Sequence, residues 1–356
     1  MQMPIDQFAI SGRVISCCPH GDGHINETYY AACEAGAGYI LQKINTAVFR
    51  DPAALMENVA AVTEYMARRT ADPRRCLHLI PTRDGRSFYT DPAGGCWRVY
   101  AFVPGSLCLQ SAETPELFYE SGVAFGAFQR ALADFPAQTL HETIPNFHNT
   151  PDRYRQLHLA LAADVRGRAG ECREEIDFAL AREPEASALV DALARGELPL
   201  RVTHNDTKLN NVLIDAKTRR ALCVIDLDTV MPGLSAYDFG DSIRFGASTV
   251  AEDEHELSKV ALSLPLYETY ICGFLAGCAG QLTDGEIRAL PLGAKLMTLE
   301  CGVRFLTDYL NGDTYFRIHR EKHNLDRCRT QLRLVRDMEG KWEQMRAIAE
   351  GFCRIH

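Results

Sequence analysis

Residues 203–211 read THNDTKLNN, and this stretch decides how the rest of the chain is interpreted. It contains the pattern H-x-D-x-x-x-x-N, made by His204, Asp206 and Asn211. Two short apolar runs follow, at residues 212–214 and 223–225, with a polar turn between them. Apolar runs on both sides of a polar turn predict the two strands of an antiparallel hairpin.

The predicted hairpin brings oxygen-bearing side chains together. If it is centred between residues 218 and 219, the numbers of facing residues sum to 437, so that Asn211 lies opposite Asp226. Facing residues of antiparallel strands have Cα atoms about 4.5–5.5 Å apart. Carboxylate and amide oxygens suit Mg²⁺, and a separate aspartate, here Asp206, is what phosphoryl transfer uses to orient an attacking hydroxyl. A surface hairpin with solvated acids is the plain alternative.

Composition excludes several classes of protein. The chain has 356 residues, is 46% hydrophobic and 24% charged, and carries a net charge of -9. An acidic balance argues against a dedicated nucleic-acid binder. The thirteen cysteines are scattered and form no C-x-x-C pair, which favours reduced thiols in a reducing compartment. Neither a signal peptide nor a run long enough to span a membrane is apparent, so we expect a cytoplasmic protein without membrane partners.

The pattern along the chain predicts two parts. The first hundred residues contain strand-like runs at 13–18, 27–33 and 39–44, and then a helix from Pro52 with Asp51 as its cap. Beyond residues 104–105, Pro-Gly, the chain is mainly helical. We therefore predict an N-terminal domain at 1–103 and a C-terminal domain at 104–356.

Several stretches together resemble a known family. The chain is similar to the aminoglycoside phosphotransferase and choline kinase group, relatives of the protein kinases, and more closely to N-acetylhexosamine 1-kinases. The similar stretches are residues 23–28, 41–45, 204–211, 224–246 and 304–316. The resemblance implies an α+β, two-lobed protein-kinase-like fold. It also implies ATP-dependent phosphorylation of the anomeric hydroxyl of GlcNAc or GalNAc, with Mg²⁺ as cofactor and the chain acting as a monomer.

The resemblance assigns the residues of the catalytic centre. Asp206 matches the aspartate that accepts a proton from the acceptor hydroxyl, and Asn211 and Asp226 match the two Mg²⁺ ligands. His204 and Asp238 are expected to support the catalytic loop. For a further acid, Asp241, a solvated position is an equal alternative.

The nucleotide is expected to bind the first domain. Lys43 on the third strand resembles the lysine that contacts ATP phosphates, and its partner would be Glu57 or Glu64, with Glu57 preferred. The phosphates would be covered by a loop with Gly21 and Gly23, although the full glycine pattern of protein kinases is missing. The adenine would bind backbone groups of Tyr100, Phe102 and Val103.

The acceptor sugar is assigned to four residues, His24, Asp228, Arg304 and Tyr315. Asp228 has three open roles: reaching a metal, binding a sugar hydroxyl, or supporting its loop. Arg304 and Tyr315 suit ring hydroxyls and an N-acetyl carbonyl. The alternative for Arg304 is a surface pair with Asp308 at i,i+4 spacing.

Two rival functions stay open. The same fold can phosphorylate another small alcohol, namely an aminoglycoside, choline, homoserine or methylthioribose. A nucleotide-binding pseudokinase is the rival from a different class. Release of ADP in the presence of MgATP and a panel of acceptors distinguishes these alternatives.

Overall fold

The computed structural model describes residues 3–21, 25–34 and 36–353; Gly23 and His24 lie outside these ranges. Its strands are β1 (Val14–Pro19), β2 (Glu27–Cys33), β3 (Gly38–Ile44), β4 (Leu79–Ile80), β5 (Tyr89–Thr90), β6 (Cys96–Ala101), β7 (Ser106–Cys108), β8 (Arg201–Thr203), β9 (Val212–Asp215), β10 (Ala221–Val224) and β11 (Met231–Gly233). Its helices are α1 (Pro52–Ala67), α2 (Pro115–Ala131), α3 (Thr150–Ala163), α4 (Arg173–Leu180), α5 (Ala188–Ala194), α6 (Ser235–Gly246), α7 (Leu264–Cys278), α8 (Asp284–Leu310), α9 (His323–Gly340) and α10 (Trp342–Glu350).

The chain divides into two compact units that do not follow a single cut. The first unit comprises Met1–Leu109, Ala131–Pro145 and Asn211–Pro232. The second comprises Gln110–Arg130, Asn146–Asn210 and Gly233–His356. The first unit therefore extends past the predicted boundary after residue 103. It also includes β9 and β10, because β9 pairs with β7 as well as with β10.

An antiparallel sheet forms the centre of the first unit. Its strand order is β1-β2-β3-β6-β4, and β5 also pairs with β6. On one face, Leu41, Trp97 and Val99 belong to a buried apolar cluster that includes Phe8. Neighbouring residues of a strand point to opposite faces, so Gln42 and its cross-strand partner Arg98 belong to the other face.

Helix α1 lies against that second face of the sheet. Its start follows the sequence prediction, since the Asp51 carboxylate accepts the backbone N–H groups of Ala53 and Ala54. Such a cap satisfies donors that have no partner inside the helix. The sulfur of Met56 on α1 lies 3.9 Å from Nη1 of Arg98. The helix therefore covers the face that carries Gln42 and Arg98.

Helices build the second unit, and close packing of α6 against α8 fixes the segment that carries the candidate acids. A Cβ atom added to Gly240 would lie 2.3 Å from the carbonyl oxygen of Gly293. A Cβ on Gly293 would in turn lie 2.3 Å from the carbonyl oxygen of Ala236. A residue with a Cβ atom would clash at either position. Glycine therefore allows the two helix backbones to touch here.

Other features of the described residues also follow the sequence. Thr283 and Glu286 form the capping box that begins α8. The thirteen cysteines are all free thiols. None of the helices in the described ranges combines the length and the apolar character that crossing a bilayer requires.

Candidate active site

The loop after β8 is held by two aspartates of α6. Asn205 has a left-handed backbone, with φ of 65°. The backbone N–H groups of His204 and Asn205 donate to the two carboxylate oxygens of Asp238, at 3.0 and 2.8 Å. The N–H of Thr207 donates to Asp241 at 2.9 Å. The acids of α6 thus fix the loop conformation on both sides of Asp206.

The two α6 acids have opposite pKa shifts because their partners differ. Burial raises the pKa of Asp238, and its partners are backbone N–H groups, His204 and Gln129 rather than a permanent cation. Burial also acts on Asp241, but the charges of Arg244 and Lys208 outweigh it and hold its pKa at about 2. Asp241 is only 7% exposed, so the solvated alternative for this residue is wrong.

His204 lies inside the second unit rather than on its surface. The side chain is fully buried, and its ring meets Phe125 and Phe128 edge-on. Its Nδ1 atom accepts the N–H of Asp206 at 3.3 Å. The histidine is therefore placed to shape the loop, which is the role that the sequence predicted.

Asp206 keeps part of its carboxylate in contact with solvent. Its side chain is 27% exposed, and Nζ of Lys208 lies 3.2 Å from its Oδ1. The charge of Asp206 raises the pKa of Lys208. A partly exposed carboxylate on a loop held by backbone hydrogen bonds has the properties of a group that orients a hydroxyl and accepts its proton.

The hairpin of β9 and β10 exists, but its register differs from the prediction by one residue. Val212 pairs with Val224 and Leu213 with Cys223, so the numbers of facing residues sum to 436 rather than 437. Next to the turn the sum is 435, since Ala221 pairs with Ile214, and a bulge between Ala221 and Cys223 raises it to 436. The predicted pairing of Asn211 with Asp226 is therefore wrong.

Asn211 instead faces the residue before Asp226. The N–H of Ile225 donates to the carbonyl oxygen of Asn211 at 2.9 Å. Asp226 follows with a left-handed backbone, φ 60°. An amide oxygen and a carboxylate thus come from neighbouring positions at the open end of one hairpin. This donor set fits Mg²⁺, which prefers hard oxygen ligands and retains several waters.

Lys43 does not occupy the position that the resemblance predicts. Its cross-strand partners are Glu27 and Trp97, and Trp97 belongs to the apolar face of the sheet. Nζ lies 3.7 Å from Glu27 and 5.7 Å from the centre of the Trp97 ring. Helix α1 covers the opposite face, where Gln42 lies. The period-2 alternation of the strand therefore directs Lys43 away from α1.

The predicted acid partners of Lys43 have other partners. A carboxylate oxygen of Glu57 lies 2.7 Å from Nε2 of His141. Glu64 forms an exposed ion pair with Arg68 one turn further along α1. The lysine–glutamate pair expected between β3 and α1 is therefore absent from the described residues.

Asp228 is the acid of a buried ion pair. It is 3% exposed, and Nη1 of Arg98 donates to its Oδ1. Its Oδ2 accepts the side-chain N–H of Asn26 at 2.7 Å. Both carboxylate oxygens are occupied by the chain itself. Of the three roles left open by the sequence, this placement favours support of the loop over contact with a sugar.

The segment expected to bind adenine already uses some of its backbone groups. The N–H of Phe102 donates to the carbonyl oxygen of Gly38 at 3.0 Å, and the Val103 carbonyl accepts the Ser106 hydroxyl at 2.7 Å. The Tyr100 side chain is buried on the face of Arg98, and burial raises the pKa of its phenol. The Phe102 N–H and the Tyr100 side chain are therefore not available to an adenine ring.

The remaining parts of the predicted nucleotide loop can be placed only in part. Gly21 has a left-handed backbone with φ of 73°, as a turn residue requires. Gly23 and His24 lie outside the described residues, so their predicted contacts stay predictions.

Arg304 and Tyr315 come together in the second unit with two further aromatic residues. The guanidinium of Arg304 lies 5.3 Å from the Phe147 ring centre, 5.9 Å from that of Tyr315 and 5.4 Å from that of Phe316. Among the described residues, none forms an ion pair with Arg304. Asp308, its alternative partner, accepts instead the backbone N–H groups of residues 314–316.

Sequence reasoning missed a buried dyad beside these rings. Nδ1 of His148 lies 2.9 Å from Glu300, which stands one turn before Arg304 on α8. Nε2 of the same histidine lies 3.4 Å from the carbonyl oxygen of Asn205, the residue before Asp206. The dyad links the Arg304 region to the catalytic loop. No local pattern marks His148, because its partners lie far away in sequence.

Comparisons with known proteins identify the family of the chain. The sequence profile of the phosphotransferase enzyme family, APH, matches residues 16–264. The chain belongs to this family. An aminoglycoside phosphotransferase from Alicyclobacillus acidocaldarius has a similar structure, with a TM-score of 0.63 and 13% identity over 98% of this chain and 96% of that one.

Two kinases with other named substrates also have structures similar to that of the present chain. A microcompartment-associated aminopropanol kinase has a TM-score of 0.58 at 16% identity and covers 96% of this chain and 97% of its own. An amicoumacin kinase in complex with AMP-PNP and Ca²⁺ has a TM-score of 0.58 at 15% identity, over 91% and 88% of the two chains. These likenesses confirm the predicted two-lobed kinase-like fold.

The second unit of the present chain also contains a cavity of about 660 Å³. Its wall includes Thr207, which follows Asp206, together with Ser242 and Arg244 of α6. A cavity of this size can take a small molecule. It gives the catalytic loop a second neighbouring space besides the region of Arg304.

Proposed function

We propose that the chain is an ATP-dependent kinase of N-acetylhexosamines that phosphorylates the anomeric hydroxyl of GlcNAc or GalNAc. The family supports phosphoryl transfer to a small alcohol. The observation that carries the choice of acceptor is the charge of the Arg304 region.

The Arg304 region is positive and aromatic. Arg153 donates from Nη2 to the backbone carbonyl oxygen of Phe147 at 2.6 Å, so a second guanidinium binds the residue whose ring Arg304 faces. Burial and the charge of Arg304 lower the pKa of Arg153. Glu300 offsets part of the charge of the two guanidinium groups, and the remaining positive charge disfavours a cationic acceptor such as an aminoglycoside or choline. The guanidinium groups suit neutral hydroxyls and an N-acetyl carbonyl, which accept hydrogen bonds.

The chain's own residues supply the remaining steps of this proposal. Asp206, held by the loop contacts to Asp238 and Asp241, orients the acceptor hydroxyl and accepts its proton. Asn211 and Asp226 would hold Mg²⁺, which neutralises charge on the transferring phosphoryl group when it is bound. Arg304 and Tyr315 orient the sugar ring.

A panel assay tests the proposal. The protein is incubated with MgATP and GlcNAc, GalNAc, their methyl glycosides, choline, ethanolamine, homoserine, methylthioribose and kanamycin, and ADP release is followed. We expect turnover of the two free N-acetyl sugars only, and phosphorus coupling to the anomeric proton in the NMR spectrum of the product.

Other outcomes of the panel would redirect or end the proposal. Phosphorylation of a methyl glycoside, or coupling at C6, contradicts anomeric transfer. Turnover of a cationic alcohol in place of the sugars favours the rival acceptor class. Nucleotide binding without turnover of any acceptor favours the pseudokinase, a rival that the position of Lys43 makes worth testing.

A further inference from the structure

Arg98 is a fully buried cation in the middle of β6. It is 0% exposed, although its neighbours in the strand are the apolar residues Trp97 and Val99. Its Nε donates to the side-chain oxygen of Gln42 at 3.0 Å, and Nη1 donates to Asp228. Nη2 has no hydrogen-bond partner among the described residues. Burying a guanidinium is costly unless a nearby negative charge compensates it.

The compensating charge comes from the segment that also carries the candidate metal ligand. Asp228 binds Arg98 directly, and the charge of Asp226, two residues earlier, adds to the electrostatic stabilisation of the guanidinium. Burial lowers the pKa of Arg98, and the two carboxylates outweigh this effect. Two acids thus share one buried cation within the first unit.

The second oxygen of Asp228 connects the same network to the turn before β2. Asn26 donates to it at 2.7 Å, and the Asn26 side-chain oxygen accepts the N–H of Asn45 at 3.0 Å. The main-chain carbonyl of Asp228 accepts the Thr143 hydroxyl at 3.3 Å. Each carboxylate oxygen of Asp228 thus already accepts a hydrogen bond, and the residue is 3% exposed.

We propose that Arg98 is a positioning residue that neutralises Asp228, so that Asp226 is the one carboxylate that residues 226–228 present to a nucleotide-bound divalent cation. The inference rests on the proposed function for the role of Asp226 alone and is independent of the acceptor. With Arg98 in place, the three groups sum to one negative charge. Without the cation, a second carboxylate would compete for the metal.

The test measures how strongly Mn²⁺ enhances the binding of ADP. Affinity for ADP is determined by calorimetry with Mn²⁺ and with EDTA, and the ratio of the two gives the contribution of the metal without any turnover. Asp228→Asn leaves Arg98 uncompensated beside Asp226. We expect this ratio to fall about tenfold, as one added unit charge near a metal implies.

Removing the cation as well should restore the enhancement of ADP binding by Mn²⁺. The double variant Arg98→Met, Asp228→Asn keeps Asp226 as the single charge, and Met is an apolar chain of similar length beside Met56. We expect its ratio to return to within about threefold of the wild type. A purely structural loss would weaken ADP binding with Mn²⁺ and with EDTA alike and would leave the ratio unchanged.

A direct metal contact by Asp228 predicts the opposite result. The double variant would then stay about tenfold below the wild type, and the proposal would be overturned. If Asp228→Asn does not fold, the double variant compared with the wild type decides alone, because exchanging a buried ion pair for neutral groups is often tolerated.

The partly buried pair of Arg74 and Asp215, 3.0 Å apart in the same unit, provides the matched control. Its double variant, Arg74→Met with Asp215→Asn, should leave the ratio unchanged. A wild type in which Mn²⁺ does not enhance ADP binding would overturn the metal role of Asp226 and this proposal together. Failure of the sugar panel would leave the present test unaffected.

Discussion

The catalytic loop and the strand pair β3–β6 both hold buried charges, but they compensate these charges in different ways. In the loop, Asp238 binds backbone N–H groups of residues that adjoin Asp206. In the sheet, Asp228 binds the guanidinium of Arg98, 130 positions away in sequence. Neither contact is local in sequence, but the motif of His204 and Asp206 marks the loop, whereas the pairing across the sheet depends on register and on the face of each strand.

The largest expected effect concerns the metal. Chelation with EDTA should abolish phosphoryl transfer, since Asn211 and Asp226 offer oxygen ligands and the transferring group needs its charge neutralised. Mg²⁺ or Mn²⁺ should restore turnover, and Zn²⁺ should do so poorly. The measurement is ADP release in metal-depleted buffer with added salts. Full turnover after chelation would contradict the role assigned to the hairpin.

Asp206→Asn is the next largest change, and it tests the loop. We expect kcat to fall by about 10²–10⁴, which is typical for the loss of a general base. Affinity for the nucleotide should hardly change, because the residue is assigned to the acceptor hydroxyl. Steady-state kinetics and ADP titration measure the two quantities. The exposed Asp134→Asn is the control, and a variant of Asp206 with wild-type kcat would refute the assignment.

The outcome for the loop shows what a sequence can predict. The motif around Asp206, the helix cap at Asp51 and the capping box at Thr283 depend on neighbours within a few residues, and all three have the expected partners. The hairpin is predicted with its strands correct and its register wrong, because the apolar pattern shows neither where the turn closes nor the bulge between Ala221 and Cys223.

The sheet shows where that reasoning stops. Lys43 was assigned from its position on the third strand, but one residue of offset reverses the face to which a side chain points. Arg98 is an arginine between two apolar residues of a strand, and this pattern is a signal that the sequence reasoning missed. Its meaning depends on Asp228, which the sequence alone does not bring close.

Arg304→Ala tests the acceptor region, with an intermediate expected effect. Loss of a charged hydrogen bond corresponds to about 1.5–3 kcal/mol, so kcat/KM for the sugar should fall roughly 10- to 150-fold. The KM for ATP should stay the same. Arg327, which also lies over an aromatic ring in the second unit, provides the control substitution Arg327→Ala. Equal losses for sugar and nucleotide would point to a structural role instead.

Asp241→Asn measures the electrostatic part of the loop's stability. The folded pKa of Asp241 is about 2, below the value near 3.9 expected in the unfolded chain. The carboxylate therefore stabilises the fold fully above about pH 4, and this contribution is lost as the pH falls toward 2. The contribution is therefore larger at neutral pH than at pH 3.

Urea unfolding at pH 6 and pH 3 gives the free energies of unfolding that this comparison needs. We expect the difference between wild type and Asp241→Asn to shrink as the pH is lowered. A difference that stayed constant with pH would show that the loss is one of packing rather than of charge. The exposed Asp134→Asn variant should show no difference at either pH.

Lys43→Met is expected to have the smallest effect and makes the sharpest distinction between the two regions. If Lys43 contacted the ATP phosphates, its loss would raise the Kd for the nucleotide strongly. Its position beside Glu27 and Trp97, on the apolar face, predicts a change within about twofold, since a partly exposed ion pair contributes little.

The neighbouring Gln42→Leu, on the face of Arg98, removes the acceptor of the Arg98 Nε–H and should weaken MgADP binding more. Calorimetric titration of the two variants compares adjacent positions on opposite faces of one strand. A greater loss of MgADP affinity for Lys43→Met than for Gln42→Leu would support contact of Lys43 with the nucleotide phosphates. It would also contradict the assignment of the two residues to opposite faces.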